Sequence, residues 1–470
     1  MRTPVLPPPR TKSLRRAVGA VGGPIPASQA ILPWWAIASY PVLWMLGLAF
    51  FFWPLLLVRV ALIKRPRRIP PGLITAIPVL LALSLALAVS LGETEPGRAI
   101  SAVYNIIIWE FLVVALSIRW TSRDLQQLVR GIVSLATVQG VVVFAAIWSY
   151  PAGSGLSPLI TKILPASLLS DASAQSFLVN NLAFADYYSG PVLRTSGFFG
   201  HPNWGAGLAG IATILAVAEL AKALRPGSRR ALSLRIFQLT SCAVPLQYAY
   251  SRTTVVAVAL GLAVGVAVLV CTVTPRKVWV TILAGGVTLT AAVAATVDWT
   301  RAYHQFNEPR LGSLISRSDI YRSTWHVILN HPVTVLGVGT KERVPGLAAS
   351  LGTHSTYLGL VYRGGWAAAI SFVLALIALL WFAIRRGQWL AAALVCFVGL
   401  WATAEDLDVG HFMPLGLLTA FLLVNLEPAP ETAVSDIPRR WVGWWVGDVL
   451  TDKPLASADN AGTVTPFVSL

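Results

Sequence analysis

Ten runs of mostly apolar residues, each close to the length a helix needs to cross a bilayer, dominate this chain. They fall at 71–91, 99–118, 131–149, 204–224, 236–250, 253–274, 278–297, 366–384, 389–404 and 412–426. No soluble core absorbs that many helices that are apolar all round. Only 12% of the 470 residues are charged and 56% are hydrophobic, whereas an ordinary soluble protein carries about 25% charged residues. This balance excludes a disordered protein and most cytosolic enzymes. It predicts an all-α, polytopic transmembrane helical bundle. Cys242, Cys271 and Cys396 all lie inside apolar runs, far from any histidine at ligand spacing, so neither a disulfide framework nor a zinc site is expected.

The formal charge of +16 is read through topology before it is read as a ligand signal. Five short loops, 64–68, 119–130, 225–235, 275–277 and 385–386, hold fifteen basic residues and one acid, Asp124. The ten runs place all five on one side, which the positive-inside rule makes cytoplasmic. Those charges fix orientation and call for no nucleic acid. The run 31–63 is longer than one span: a single helix of that length would reach about 50 Å across a hydrocarbon core of about 30 Å. Pro41 and Pro54 interrupt it. If the basic, proline-rich segment 1–30 shares the basic side, 31–63 crosses twice. The expectation is about 12 helices with both termini cytoplasmic; a single long first helix, giving 11, is the alternative. Residues 1–30 read as a disordered tail. Residues 427–470 read as a cytoplasmic tail in which Trp441, Val442, Trp444 and Trp445 suggest a short interfacial helix.

Two long external segments remain, 150–203 and 298–365, and connections of that length are usually functional. All six histidines fall on this side. So do Arg98, Arg194, Arg252, Arg301, Arg310, Arg317, Arg322, Arg343 and Arg363, against the positive-inside rule, which suggests an anionic ligand. Arg252 sits between two apolar runs with almost no loop, the costliest placement of the set; the alternative is a snorkelling arginine that marks a tight turn. Glu110, in mid-span beside Trp109, should face the bundle interior as a partner for an external arginine, a proton relay or a helix crosslink. Arg194 through Asn203 leads into a helix at Trp204, with Asn203 as N-cap and His201 beside it, a natural anion site. Residues 316–330 read as a helix at the membrane surface with Arg317 and Tyr321 on one face. His354, at a helix boundary before Ser355 and Tyr357, suits a general base; the alternative is a local capping role. Glu405-Asp406-x-Asp408 is the one external acidic cluster, open either to binding a cation or to pairing with Arg194 or Arg317.

The order Arg194, Gly197, His201-Pro202-Asn203, Ser251-Arg252, Arg317-x3-Tyr321, Pro332, Gly337-x-Gly339, His354-Ser355-x-Tyr357-Leu358 and Gly364 resembles the O-antigen ligase and Wzy-type polymerase superfamily over roughly residues 75–425. Tyr321 departs from that pattern, standing where an aromatic residue, often tryptophan, is usual. The resemblance implies a GT-C type membrane glycosyltransferase domain at 31–426, acting at the external face of the bacterial cytoplasmic membrane. It implies transfer of a glycan from undecaprenyl diphosphate to an acceptor glycan, lipid or protein. At matching positions Arg194, Arg252 and Arg317 would bind the diphosphate, with Arg322 as a nearby substitute, and His354 would act on the acceptor. No metal or other cofactor is expected. A Wzy-type polymerase is the alternative within the family. A secondary transporter of an anionic solute is the alternative outside it, one that predicts inverted repeats and helices broken at the midplane.

Overall fold

The structure is a computed structural model that describes residues 30–65, 67, 71–94, 96–149, 157–165, 183–185, 193–224, 229–275, 288, 311–330, 336–347, 349–407 and 412–426. Within them the α-helices are α1 (Trp34–Ala38), α2 (Tyr40–Met45), α3 (Phe52–Leu62), α4 (Pro71–Ser90), α5 (Pro96–Ser117), α6 (Ser122–Ser149), α7 (Pro202–Ala223), α8 (Arg229–Tyr248), α9 (Arg252–Val273), α10 (Leu311–Asn330), α11 (Thr356–Arg385), α12 (Trp389–Trp401) and α13 (Met413–Asn425). A short ribbon, β1 (Ala183–Ala185) antiparallel to β2 (Leu193–Thr195), lies in the long connection after α6. Five of the helices are long and apolar enough to cross a membrane, and α3, α4, α12 and α13 are shorter apolar helices. The chain is an integral membrane helical bundle. The apolar run 278–297 apart from Thr288, the tail 1–29 and the tail 427–470 with its tryptophans lie outside the described residues.

The segment 31–63 forms a hairpin. The Asp124 carboxylate accepts from the Ile31 amide at 3.0 Å and pairs with Arg65 at 2.6 Å, so both ends of the segment meet at the basic loop 119–130. Arg59 closes the same end by donating to the carbonyls of Ile31 and Ala30, both at 2.8 Å. The turn between α2 and α3 holds Gly47 at φ 73°, a left-handed conformation that suits glycine. It packs on Ile160, in the long connection at the opposite end of the bundle. Pro41 and Pro54 each fall in the first turn of a helix, where a missing N–H costs little. Tyr40 and Phe52 then join Phe199 and Phe412 in an aromatic cluster with ring centroids 5.0–5.4 Å apart. That cluster ties the hairpin to the residues just before α7 and α13.

Glu110 corrects an expectation. It is exposed on the outer face of α5, not turned into the bundle. Its neighbours Trp109, Phe111 and Leu112 are all buried, and these larger apolar side chains take the inward-facing positions of that turn.

α11 begins ten residues before the predicted span at 366. Its first nine residues form a short helix that ends at Gly365, whose φ of 75° and ψ of −178° break the helical path. The break frees the carbonyls of Tyr362 and Arg363, which would otherwise bond four residues on. The amides of Val338 and Gly339 take them at 2.7 and 2.9 Å. A side chain at Gly337 would run into the backbone of those same two residues, which explains a glycine there. The segment 336–347 is thereby pinned against the start of α11.

Candidate functional site

At the end of the bundle opposite the basic loops, four chain segments converge: the start of α7, the first half of α10, the stretch 341–356 and the turn 402–407 after α12. They enclose a cavity of about 340 Å³ lined by His201, Trp204, Lys341, Arg343, His354, Glu405 and Asp406, among others.

Glu405 is the hub. Its carboxylate accepts from Arg317 at 2.8 Å and from the Asn203 side-chain amide. Arg317 also donates to the Ala404 carbonyl at 3.1 Å. Asn203 in turn accepts from Arg194 at 3.1 Å, and the Arg194 Nε donates to the Ala249 carbonyl at 3.0 Å. One network thus links the turn ahead of Arg252 to α10. Burial raises the Glu405 carboxyl above its ordinary range, and the Arg317 guanidinium opposes that. Asp406 pairs with Lys341 at 2.8 Å, and burial lowers the Lys341 ammonium to about 8.

His354 holds φ at 62°, a left-handed conformation that is uncommon outside glycine. Three contacts hold it there. The Tyr321 hydroxyl donates to its carbonyl. Ser355 caps α11 by accepting from the Leu358 amide. The Thr356 amide donates to the carbonyls of Ala402 and Glu405 at 2.8 and 3.0 Å, and the Thr356 hydroxyl donates to Glu405 at 2.7 Å. Arg317 and Tyr321, one helical turn apart, therefore act from one face of α10 as the sequence predicts. Burial, with the positive charge of Arg317 beside it, lowers the His354 imidazole to about 4, so it is neutral at physiological pH.

On the other side of the His354–Ser355 pair opens an apolar groove of about 420 Å³, lined by Ser355, Tyr357, Leu358, Trp325, Trp366 and Ile370, among others. Trp325 and Trp366 meet edge to face at 6.2 Å. Tyr357 lines the groove while its hydroxyl donates to the Gly399 carbonyl at 2.8 Å, fixing α11 to α12.

The predicted residues divide by position. His354 and His201 line the cavity, and Arg317 braces its wall. Asn203 and Arg194 stand behind that wall, both buried. His201, not Asn203, is the N-cap of α7: its ring accepts from the Asn203 amide at 3.3 Å. Pro202 then takes the first helical position, where its missing N–H is harmless. Arg252 opens α9 at the same end, three residues past Ala249. Arg322 projects from α10 with 80% of its side chain exposed, and its nearest acid, Asp319, is 3.9 Å away. Glu110 has no place in this cavity. Sequence reasoning missed Lys341. Its one signal was a lysine on the side where lysine is disfavoured. Of the acidic cluster, Glu405 takes Arg317 and Asp406 takes Lys341, while Asp408 lies outside the described residues.

No curated protein and no solved structure gives a significant match to this chain. A family model does: residues 238–373 match O-antigen ligase, Wzy_C. The matched stretch contains Ser251-Arg252, Arg317, Tyr321, Gly337-x-Gly339, His354 and the broken start of α11. It supplies the described lining of the apolar groove apart from Leu374, and the left-handed His354 next to it in the chain. Residues 238–373 are therefore similar to the O-antigen ligase family, and the chain that carries them is an integral membrane protein.

Proposed function

We propose that the protein transfers a glycan from undecaprenyl diphosphate to an acceptor hydroxyl at the outer face of the bacterial cytoplasmic membrane. The observation that carries this reading is the position of His354, between an apolar groove and a polar cavity lined by Lys341 and Arg343 together with Glu405 and Asp406. A lipid-linked sugar has that same division. Its isoprenoid would lie in the groove beside Trp325 and Trp366, and its diphosphate at the boundary. The sugar would reach into the cavity.

The reaction breaks the bond between the anomeric carbon and the diphosphate oxygen and makes one from that carbon to the acceptor oxygen. The acceptor proton passes to neutral His354. Charge grows on the departing diphosphate, and arginine stabilises it with fixed donors. Arg317 spends two of its five N–H donors on Ala404 and Glu405, leaving others for a phosphate oxygen. Arg322, exposed on the same helix, and Arg252 are its partners in this reading. Arg194 acts through Asn203, holding Glu405 and hence Arg317 in place. Attack opposite the leaving group inverts the anomeric carbon. A Wzy-type polymerase would run the same steps with a second lipid-linked glycan as acceptor. The transporter alternative loses its main support, since the carboxylate it would use in mid-span, Glu110, faces outward.

The test is glycan transfer from an undecaprenyl diphosphate donor by the purified full chain. His354→Asn keeps a residue that tolerates the left-handed backbone. It should be made at normal levels and lose about 10²–10⁴-fold in rate, the usual worth of a general base. Full activity in that variant would remove His354 from the chemistry.

A further inference from the structure

A separate cavity runs between α4, α5, α11 and α13 and takes no part in the site around His354. α11 gives it one helical face, from Phe372 through Leu376 and Leu379 to Phe382 and then Arg386. At 1.5 Å per residue that stripe is about 20 Å long, somewhat more than half of a hydrocarbon core of about 30 Å. Its lining is apolar along this length, and its polar members stand at one end: Arg386 just past α11, Asn425 at the end of α13 and Thr75 in the first turns of α4. This is the end of the basic loops. We propose that the cavity binds an anionic phospholipid from the leaflet at that end, with one acyl chain along the α11 face and its phosphate on Arg386. The inference goes beyond the transfer reading and does not rest on it.

The two ends of the cavity support the assignment. Its deep end holds Trp109 and Phe372, which meet edge to face at 5.8 Å. Phe372 also meets Tyr357, of the groove beside His354, at 5.7 Å. One ring therefore separates the two apolar spaces, and their polar rims lie at opposite ends of the bundle. A lipid whose diphosphate stands at His354 does not reach the Arg386 rim. At that rim Arg386 is exposed and donates to the Val424 carbonyl, one of the last carbonyls of α13, which lack an intrahelical partner. That bond ties the guanidinium to the rim, and with five N–H donors it has others for a phosphate oxygen. Arg385 beside it lies over the Trp381 ring at 4.7 Å and adds a second positive charge. The basic loop 64–68 reaches the same place, since Arg67 bridges to Ile118, two residues past Leu116 of the lining. The positive-inside rule makes this end cytoplasmic. Basic pockets between spanning helices on that side suit anionic headgroups.

Binding is read on the purified full chain in detergent and needs no transfer activity. The probe is a phosphatidylglycerol with a photoreactive diazirine at the end of one acyl chain. It should label α11 near Phe372 and α5 near Trp109, the deep end of the cavity. Unlabelled phosphatidylglycerol should compete about fivefold better than phosphatidylcholine with the same chains, the usual worth of one arginine near an anionic lipid surface. That margin should shrink with salt. Arg386→Gln should remove the margin, and Arg386→Lys should keep part of it. Ala375→Leu, which fills the cavity without altering charge, should remove the labelling and covers the case in which Arg386→Gln fails to fold. Persistence of the labelling in Ala375→Leu rejects the site. Absence of labelling in the unaltered chain, as when a segment such as 278–297 occupies the space, overturns the proposal. So does labelling spread evenly to Leu374 and Ile377 on the outward face of α11, which marks unselective contact with lipid or detergent. Equal competition by the two lipids removes the anionic headgroup from the assignment and overturns it. Displacement by undecaprenyl diphosphate in preference to phosphatidylglycerol also overturns it, by making the cavity part of the donor site.

Discussion

His354 is marked by its backbone as well as its side chain. A left-handed conformation in a residue other than glycine costs roughly 1–3 kcal/mol and survives where neighbours over-determine it. Here the neighbours are Tyr321, Ser355 and the turn ending at Glu405. The titration of the cavity follows from the same burial. His354 is lowered to about 4, so the base form is present above that pH and is lost only as pH falls through it. Lys341 is lowered to about 8, so its charge is full below that pH and is lost as pH rises through it. The expected profile of kcat/KM for the free enzyme is a plateau with an acid limb near 4, well below the ordinary histidine range, and an alkaline limb near 8. Lys341→Arg keeps the charge at every pH tested and should remove the alkaline limb. An unchanged limb at 8 in that variant would assign it to another group. Bound diphosphate places negative charge near His354, so the acid limb of kcat should lie higher than that of kcat/KM.

The broken start of α11 is the element on which the site depends. Gly365 adopts a φ and ψ that only glycine takes readily. Its break releases two carbonyls, and the amides of Val338 and Gly339 take them. Gly365→Ala should favour a continuous helix and detach the 336–347 segment with Lys341 and Arg343. A loss of transfer with a fall in thermal stability of about 1–3 kcal/mol equivalent is expected, read in detergent by unfolding midpoint. Full activity would show that the break is dispensable. This element also separates what the sequence reveals from what it hides. The spans are legible because lipid forces each helix to satisfy its own backbone, and that leaves long apolar runs. Arg317 and Tyr321 are legible as a pair because helical spacing puts them on one face. The pairing of Lys341 with Asp406 has no such signal, since the two are 65 residues apart and meet only after α11 and α12 fold. The same holds for Arg363, which reads as a loop arginine and is buried in a short helix. Glu110 misleads for a related reason: the rule that a carboxylate turns inward gives way to Trp109, Phe111 and Leu112 on the same turn.

At the scale of the whole molecule, the two ends of the bundle carry different chemistry, and the transfer reading requires the cavity end to face outward. The hairpin at 31–63 decides this arrangement. Ile31 and Arg65 meet on Asp124 at the basic end, and Gly47 packs on Ile160 at the other. The positive-inside rule makes the basic end cytoplasmic. Single cysteines in a background lacking Cys242, Cys271 and Cys396 test both statements at once. Leu48→Cys, beside the hairpin turn, should react with a membrane-impermeant maleimide on intact cells. Lys64→Cys, at the basic end, should react only after the membrane is opened. Labelling of Lys64→Cys on intact cells would invert the bundle and put His354 on the cytoplasmic side. A glycan donor presented at the outer face would then have no access to it. Protection of both positions on intact cells would keep the orientation of the basic loops undecided by Lys64 alone, so Lys162→Cys, on the connection that packs against the turn, is read in parallel. Its labelling without that of Leu48→Cys would favour a turn buried under the 157–165 segment, and the failure of all three would reject an external cavity.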